Sequence, residues 1–203
     1  SSVLVSTRPS RTARPIASSR VTDVTLSDRE SESVTNGPQG SRVHIPIHLR
    51  WGDLDALGHV NNASMFRLLE EARLRAFWRP EGGFDAPSTA IIGTELVSGT
   101  DTMAVIARQE IEYLTPVPYG RLPLDVQLWI GRLGGSSVEI CYEVLSPSVA
   151  EGAETAEQIT YARASGVMVM LDAATMRPRR LTETERAAWE PIVGEPIQFG
   201  KRR

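Results

Sequence analysis

The chain has 203 residues, 41% of them apolar and 23% charged, which suits one domain with a real core plus an extension. A net charge of −3 weighs against the basic patch or stripe of a non-specific nucleic-acid binder, and no apolar run approaches the roughly 20 residues that a membrane-spanning helix needs. The single cysteine, Cys141, leaves no disulfide framework and no cysteine zinc site, and with no secretory signal visible the expected setting is the cytoplasm.

Residues 1–40 are rich in Ser, Thr, Arg and Pro, with too few apolar residues to offset the entropy of ordering, so this stretch reads as a disordered extension. Arg8, Arg11, Arg14 and Arg20, with no acid among the first 20 residues, leave an organelle transit peptide open beside a plain tail. The folded domain is expected over 41–181. It opens with a strand in which Ile45, Ile47, Leu49 and Trp51 alternate onto one face, and Pro46 suits an edge position or a strand start.

A loop rich in Asp and Gly, Gly52 to Asn61, leads into the one long helix signal, Asn62 to Trp78. Met65, Leu69, Ala72 and Ala76 recur at helical spacing, and Phe66, Leu68 and Phe77 widen the stripe until an enclosed helix is expected. Asn61 or Asn62 can cap its start. Glu71 and Arg75 stand four apart as an exposed pair. Arg79-Pro80 with Gly82-Gly83 ends it.

Strands are then expected over 89–98, 103–113, 123–132, 136–146 and 157–171. Leu124, Val126, Leu128 and Ile130 alternate, as do Val138, Ile140, Tyr142 and Val144, with Gly134-Gly135 as the hairpin turn between them. A short helix over 182–190, starting at Thr182 or Thr184, opens the remainder, 182–203. The order of elements predicts an α+β fold, an antiparallel sheet of about five to six strands wrapped around one long central helix.

The chemistry concentrates between the first strand and the helix, in Arg50-Trp51-Gly52-Asp53-Leu54-Asp55-Ala56-Leu57-Gly58-His59-Val60-Asn61-Asn62. Asp55 offers a carboxylate that can act as nucleophile or as general base. The backbone N–H groups that open the helix near Asn62 and Ala63 can stabilise an oxyanion. His59 can carry or orient a proton. Spacing alone leaves open a plainer role for these residues, turn formation and helix capping.

The run Asp53-Leu54-Asp55 … Gly58-His59-Val60-Asn61-Asn62, followed by Met65-Phe66 and Glu70-Glu71-Ala72-Arg73, resembles the signature of the hot-dog thioesterases of the 4-hydroxybenzoyl-CoA and acyl-CoA type, and is similar to that of the acyl-ACP thioesterases. The segments Glu110 to Val117 and Gly134 to Ser137 are similar to hot-dog strand and hairpin pieces, so that the resemblance spans roughly 43–181. It implies hydrolysis of an acyl-CoA to free acid and CoA. Asp55 matches the family's catalytic acid, Asn62 the position whose N–H holds the thioester oxygen, and His59 the family histidine. Gly58, Asn61, Gly135, Ser136 and Ser137 are the expected substrate-binding positions. The resemblance further implies a homo-oligomer, dimer or tetramer, with no metal and no cofactor beyond the CoA of the substrate. Acyl-ACP members carry Asn two residues before the histidine, where this chain has Leu57, a departure that favours acyl-CoA. Alternatives are an acyl-ACP thioesterase, an enoyl-CoA hydratase, whose loop would carry Asn-Pro where Leu57-Gly58 stands, and a member that binds acyl groups without turnover.

Other polar residues have simpler expected roles. Asp53 shapes the loop through backbone N–H groups. Glu70 and Glu71 are helix-face ion-pair partners, because the hot-dog branch with a catalytic acid on the helix lacks the Asp-x-Asp loop. His44 and His48 lie opposite the apolar face of the first strand. Cys141 shares a face with Glu139 and Glu143 and is expected to be inert. Gly134 to Ser137 could hold pantetheine or phosphate through backbone N–H groups, or be a plain turn. Arg177, Arg179 and Arg180 could meet CoA phosphates, with a solvated basic turn favoured.

Overall fold

A computed structural model describes residues 41–80, 85–93, 102–147 and 158–200, all within one unit, Asn36–Arg203. The expected disordered extension over 1–40, the glycines at 82 and 83 and the second half of the strand expected over 89–98 lie outside these residues; its first half, 89–93, forms no strand and makes only a single bridge, Ile92 with Trp78. Strand β1 is Val43–Ile47, helix α1 is Asn62–Phe77, and strands β2 to β5 are Thr102–Tyr113, Leu124–Leu133, Ser137–Leu145 and Thr160–Asp172; helix α2, Glu183–Trp189, follows. The strands form one antiparallel sheet in the order β1-β3-β4-β5-β2. This is the expected α+β fold, a sheet carrying one long helix. Among the described residues no helix is long and apolar enough to cross a membrane.

The alternation read in β3 and β4 is the register of the core. Val126 stands opposite Ile45 on one side and Val144 on the other, and Leu128 opposite Tyr142. These side chains meet Met65, Leu68, Leu69, Ala72, Ala76 and Phe77 of α1 in one cluster. Among the described residues β1 pairs with β3 alone, so Pro46 sits in an edge strand, where a missing N–H costs least.

Two expectations from the pattern need correction. Trp51 does not continue the buried face of β1. The strand ends at Ile47 and the chain enters a 3₁₀ turn at Trp51–Asp53, which breaks the period of two and leaves Trp51 75% exposed, stacked on Tyr119 at 4.8 Å. Helix α1 is not enclosed on every side either. One face is buried, while Arg67, Glu70, Leu74 and Arg75 are exposed, so the single sheet covers one face of the helix. On the exposed side Glu71 pairs with Arg75, and Glu70 lies 3.6 Å from Arg73, the ion-pair roles expected of them.

The far face of the sheet is covered by other means. Arg42 lies over the Trp129 ring at 4.3 Å, and residues 193–197 run along β3, with the Gly194 N–H donating to Ile130 O and Trp129 Nε1 donating to Glu195 O. Gly131 sits at a bulge between β3 and β4; a Cβ there would come within 2.8 Å of Cys141 Sγ and 3.0 Å of Pro196 Cα. Cys141 is fully buried in this layer, and burial pushes its thiol up to about 11, so it stays protonated and unreactive at neutral pH. Helix α2 is capped by Thr182 and Glu185 in a reciprocal box. Its Trp189 belongs to the main core, meeting Phe77 edge-on at 5.6 Å.

Candidate active site

The loop between β1 and α1 is built from its own polar atoms. Asp53 is buried; its Oδ2 accepts the Arg50 N–H at 2.7 Å and its carbonyl accepts the Asn61 N–H at 2.8 Å. It shapes the loop, as expected. Asp55 to His59 then form a tight turn. The Gly58 N–H donates to Asp55 O at 3.1 Å and the Asp55 N–H to His59 O at 2.8 Å, between paired Leu54 and Val60. Gly58 has φ +79°, the left-handed position that closes a three-residue hairpin and suits glycine.

Asp55 does two things in this turn. Its Oδ1 accepts the Leu57 N–H at 2.8 Å and the His59 N–H at 3.1 Å, whereas its Oδ2 has no partner among the described residues. The His59 and Leu57 N–H groups, in that order, hold the carboxyl below its ordinary range, so it is ionised at neutral pH. The turn role that spacing alone left open is therefore real, and it leaves one oxygen of the carboxylate available.

Asn61 caps α1, its Oδ1 accepting the Ala63 N–H at 2.8 Å. Asn62 is the first helical residue, and its N–H has no acceptor among the described residues, as expected at a helix start. Asp55, His59 and Asn62 line one pocket of about 360 Å³, closed on its other side by Tyr113, Thr115 and Val117. The three proposed catalytic positions thus come together, at the positive end of the helix dipole. Gly58 and Asn61, expected to bind substrate, do not line this pocket.

Gly135, Ser136 and Ser137 do not join them. They turn the β3–β4 hairpin, and none lines the pocket. Gly135 O accepts the Leu181 N–H and Ser136 O the Met170 N–H, each at 2.9 Å, while Arg186 Nη2 donates to Gly134 O. The hairpin's carbonyls thus fasten β5, the segment before α2 and α2 itself. Arg179 is likewise occupied, paired with Glu185 at 2.5 Å. Burial works to raise the Glu185 carboxyl, but the hydrogen bonds from Arg179 and Thr182 outweigh it and hold the group below its ordinary range.

A larger depression of about 510 Å³ lies between β1 and the end of α1, lined by Ile45, Leu74 and Trp78 with Arg75 and Arg79. It has no carboxylate facing a helix start, so the smaller pocket is the better chemical candidate. Among the described residues no group of three or more His, Cys, Asp or Glu could hold a metal ion. Sequence reasoning missed Tyr113 and Thr115 as pocket residues. Tyr113 reaches the helix across 51 positions, and the only available signal was a tyrosine at the end of a strand-like run.

Comparison with known proteins bears on the whole of this domain. Residues 49–194 match the family model of the thioesterase-like superfamily. No curated protein matches the sequence. Among solved structures, a thioesterase of Thermus thermophilus in complex with coenzyme A and Zn is 30% identical, with a TM-score of 0.50, covering 77% of this chain and 96% of that one. A protein of Pseudomonas aeruginosa is 24% identical, with a TM-score of 0.55, covering 77% of this chain and 94% of that one. A predicted thioesterase of Bacillus stearothermophilus is 21% identical, with a TM-score of 0.55, covering 77% of this chain and all of that one. The last two speak for the fold alone.

Proposed function

The chain belongs to the thioesterase-like superfamily and is a thioester hydrolase, and from that premise we propose that it cleaves acyl-CoA to a carboxylic acid and CoA at the Asp55 pocket. The observation that carries this reading is that a carboxylate with a free oxygen and the open N–H of Asn62 share one pocket. The coenzyme A bound to the Thermus thermophilus thioesterase supports CoA as the carrier.

The thioester carbonyl oxygen takes the Asn62 N–H, where the helix dipole stabilises the negative charge that attack creates. In one route Asp55 Oδ2 attacks the carbonyl carbon, the C–S bond breaks, CoA leaves as thiolate, and water opens the resulting mixed anhydride. In the other Asp55 takes a proton from an attacking water. The depressed Asp55 carboxyl favours the first, because a general base works best with a pKa near the working pH. His59 lines the pocket, which supports a role for it in carrying a proton to the departing thiolate. Neither route transfers electrons or needs a cofactor.

A thiol-release screen over short, long and aromatic acyl-CoAs tests the reaction. Turnover of at least one class is expected, and binding without thiol release across the panel would overturn it. The pH profile carries the sign of the Asp55 shift. Activity needs the ionised carboxylate, so it falls as pH drops through the lowered pKa. The acid limb of kcat/KM is therefore expected below the ordinary aspartate value of about 3.9; a limb at about pH 5 to 7 assigned to Asp55 would contradict the geometry.

The oligomer expected from the sequence has a clear edge to form on. Among the described residues strand β2 is an outer strand that pairs with β5 alone, and it leaves Met103 and Val105 partly exposed. An exposed strand edge of 12 residues presents unpaired backbone groups, and a second copy laid antiparallel on the same edge would cover it with two-fold symmetry. Light scattering at assay concentration is expected to give twice the chain mass or a higher even multiple. A fully active monomer would refute the dimer.

A further inference from the structure

We propose that Tyr113 is a positioning residue for the thioester-binding N–H of Asn62, an inference that rests on the reading of the Asp55 pocket above. The Tyr113 hydroxyl donates to the Asn62 carbonyl at 3.1 Å. Among the described residues this is the hydrogen bond that ties the first turn of α1 to β2. Asn62 N–H and C=O flank one α-carbon, so a hold on the carbonyl restrains, through the helical φ and ψ of that residue, the direction in which the N–H points.

The need for such a tie follows from where Asn62 sits. First turns of helices fray, because their N–H groups have no partners within the helix. Asn61 restrains the turn from one side through its side-chain cap on Ala63 and its backbone bond to Asp53. Within the helix the Asn61 carbonyl, which shares a peptide plane with the Asn62 N–H, accepts the Met65 N–H at 2.9 Å; the Tyr113 bond adds a tie from outside the helix, on the pocket side. Tyr113 ends β2 and lines the same pocket as Asp55. It therefore sets the distance between the open carboxylate oxygen and the N–H from the opposite wall. Its phenol is pushed above the usual range by burial, so it remains a donor throughout the working pH range.

The test replaces Tyr113 by Phe in the full chain and measures kcat and KM with the best acyl-CoA of the screen. Phe keeps the ring and removes only the donor. The expected result is a kcat lower by roughly tenfold with KM changed less than about twofold, since a misaimed donor weakens the transition state more than ground-state binding. Unchanged kcat overturns the inference, as does a rise in KM alone, which would make Tyr113 an ordinary wall. Should the Phe variant not fold, Tyr113→His keeps a ring donor on a shorter reach and is expected to show the same loss in kcat; full kcat there overturns it equally. Asp55→Asn run in parallel separates the two levels. If that variant keeps its rate, the pocket reading fails. If it is inactive while Tyr113→Phe is fully active, the pocket reading stands and the positioning role alone is lost.

Discussion

Asn in place of Asp55 leaves the protein folded and lowers kcat by on the order of a thousandfold or more. The fold survives because the amide oxygen of Asn can still accept the Leu57 and His59 N–H groups that Oδ1 accepts now. The chemistry does not survive, because the charge and the free carboxylate oxygen are gone. Steady-state thiol release with circular dichroism as the folding control decides the matter. Near-parental turnover in a folded variant would reduce Asp55 to a turn residue and move the catalytic acid elsewhere.

The second large effect is on stability. Trp189→Ala is expected to cost about 3–5 kcal/mol, the usual range for truncating a fully buried tryptophan. Trp189 is inaccessible to solvent, packs edge-on against Phe77 of α1, and donates from Nε1 to Thr89 O at 3.0 Å. Its removal opens a cavity and leaves a buried carbonyl without its donor. Urea unfolding followed by far-ultraviolet circular dichroism reads the loss, and Trp189→Phe, which keeps most of the packing, should lose markedly less. A change under about 1 kcal/mol for the alanine variant would mean that α2 contributes little to the core that holds α1 in place.

These two residues illustrate different kinds of legibility. Asp55 was singled out because the Asp-x-Asp to Asn-Asn run is short, contiguous and matched by a known family, and because a carboxylate just before a helix start is a recognisable chemical arrangement. Trp189 carried no such mark; a tryptophan near the end of a chain is equally consistent with an exposed tail. Its contacts with Phe77 and Thr89, a hundred or more positions away, show that it belongs to the core.

What the sequence determined by itself are the properties set by neighbours along the chain. The period of two in β3 and β4 dictates which side chains meet the helix, because alternate Cβ atoms must point to opposite faces. Asn61 caps α1, Asp53 and Asp55 close their loop, and Gly58 takes the left-handed position, each through atoms within a few residues of one another. Tertiary structure alone decided what depends on distant segments. It left Trp51 exposed, gave α1 one open face, set the Gly134–Ser137 turn against the segment before α2, and brought Tyr113 to the helix start. The physical reason is that periodicity and capping are local, short-range constraints. Which strand end lies beside a given helix terminus follows instead from the order in which the whole sheet pairs.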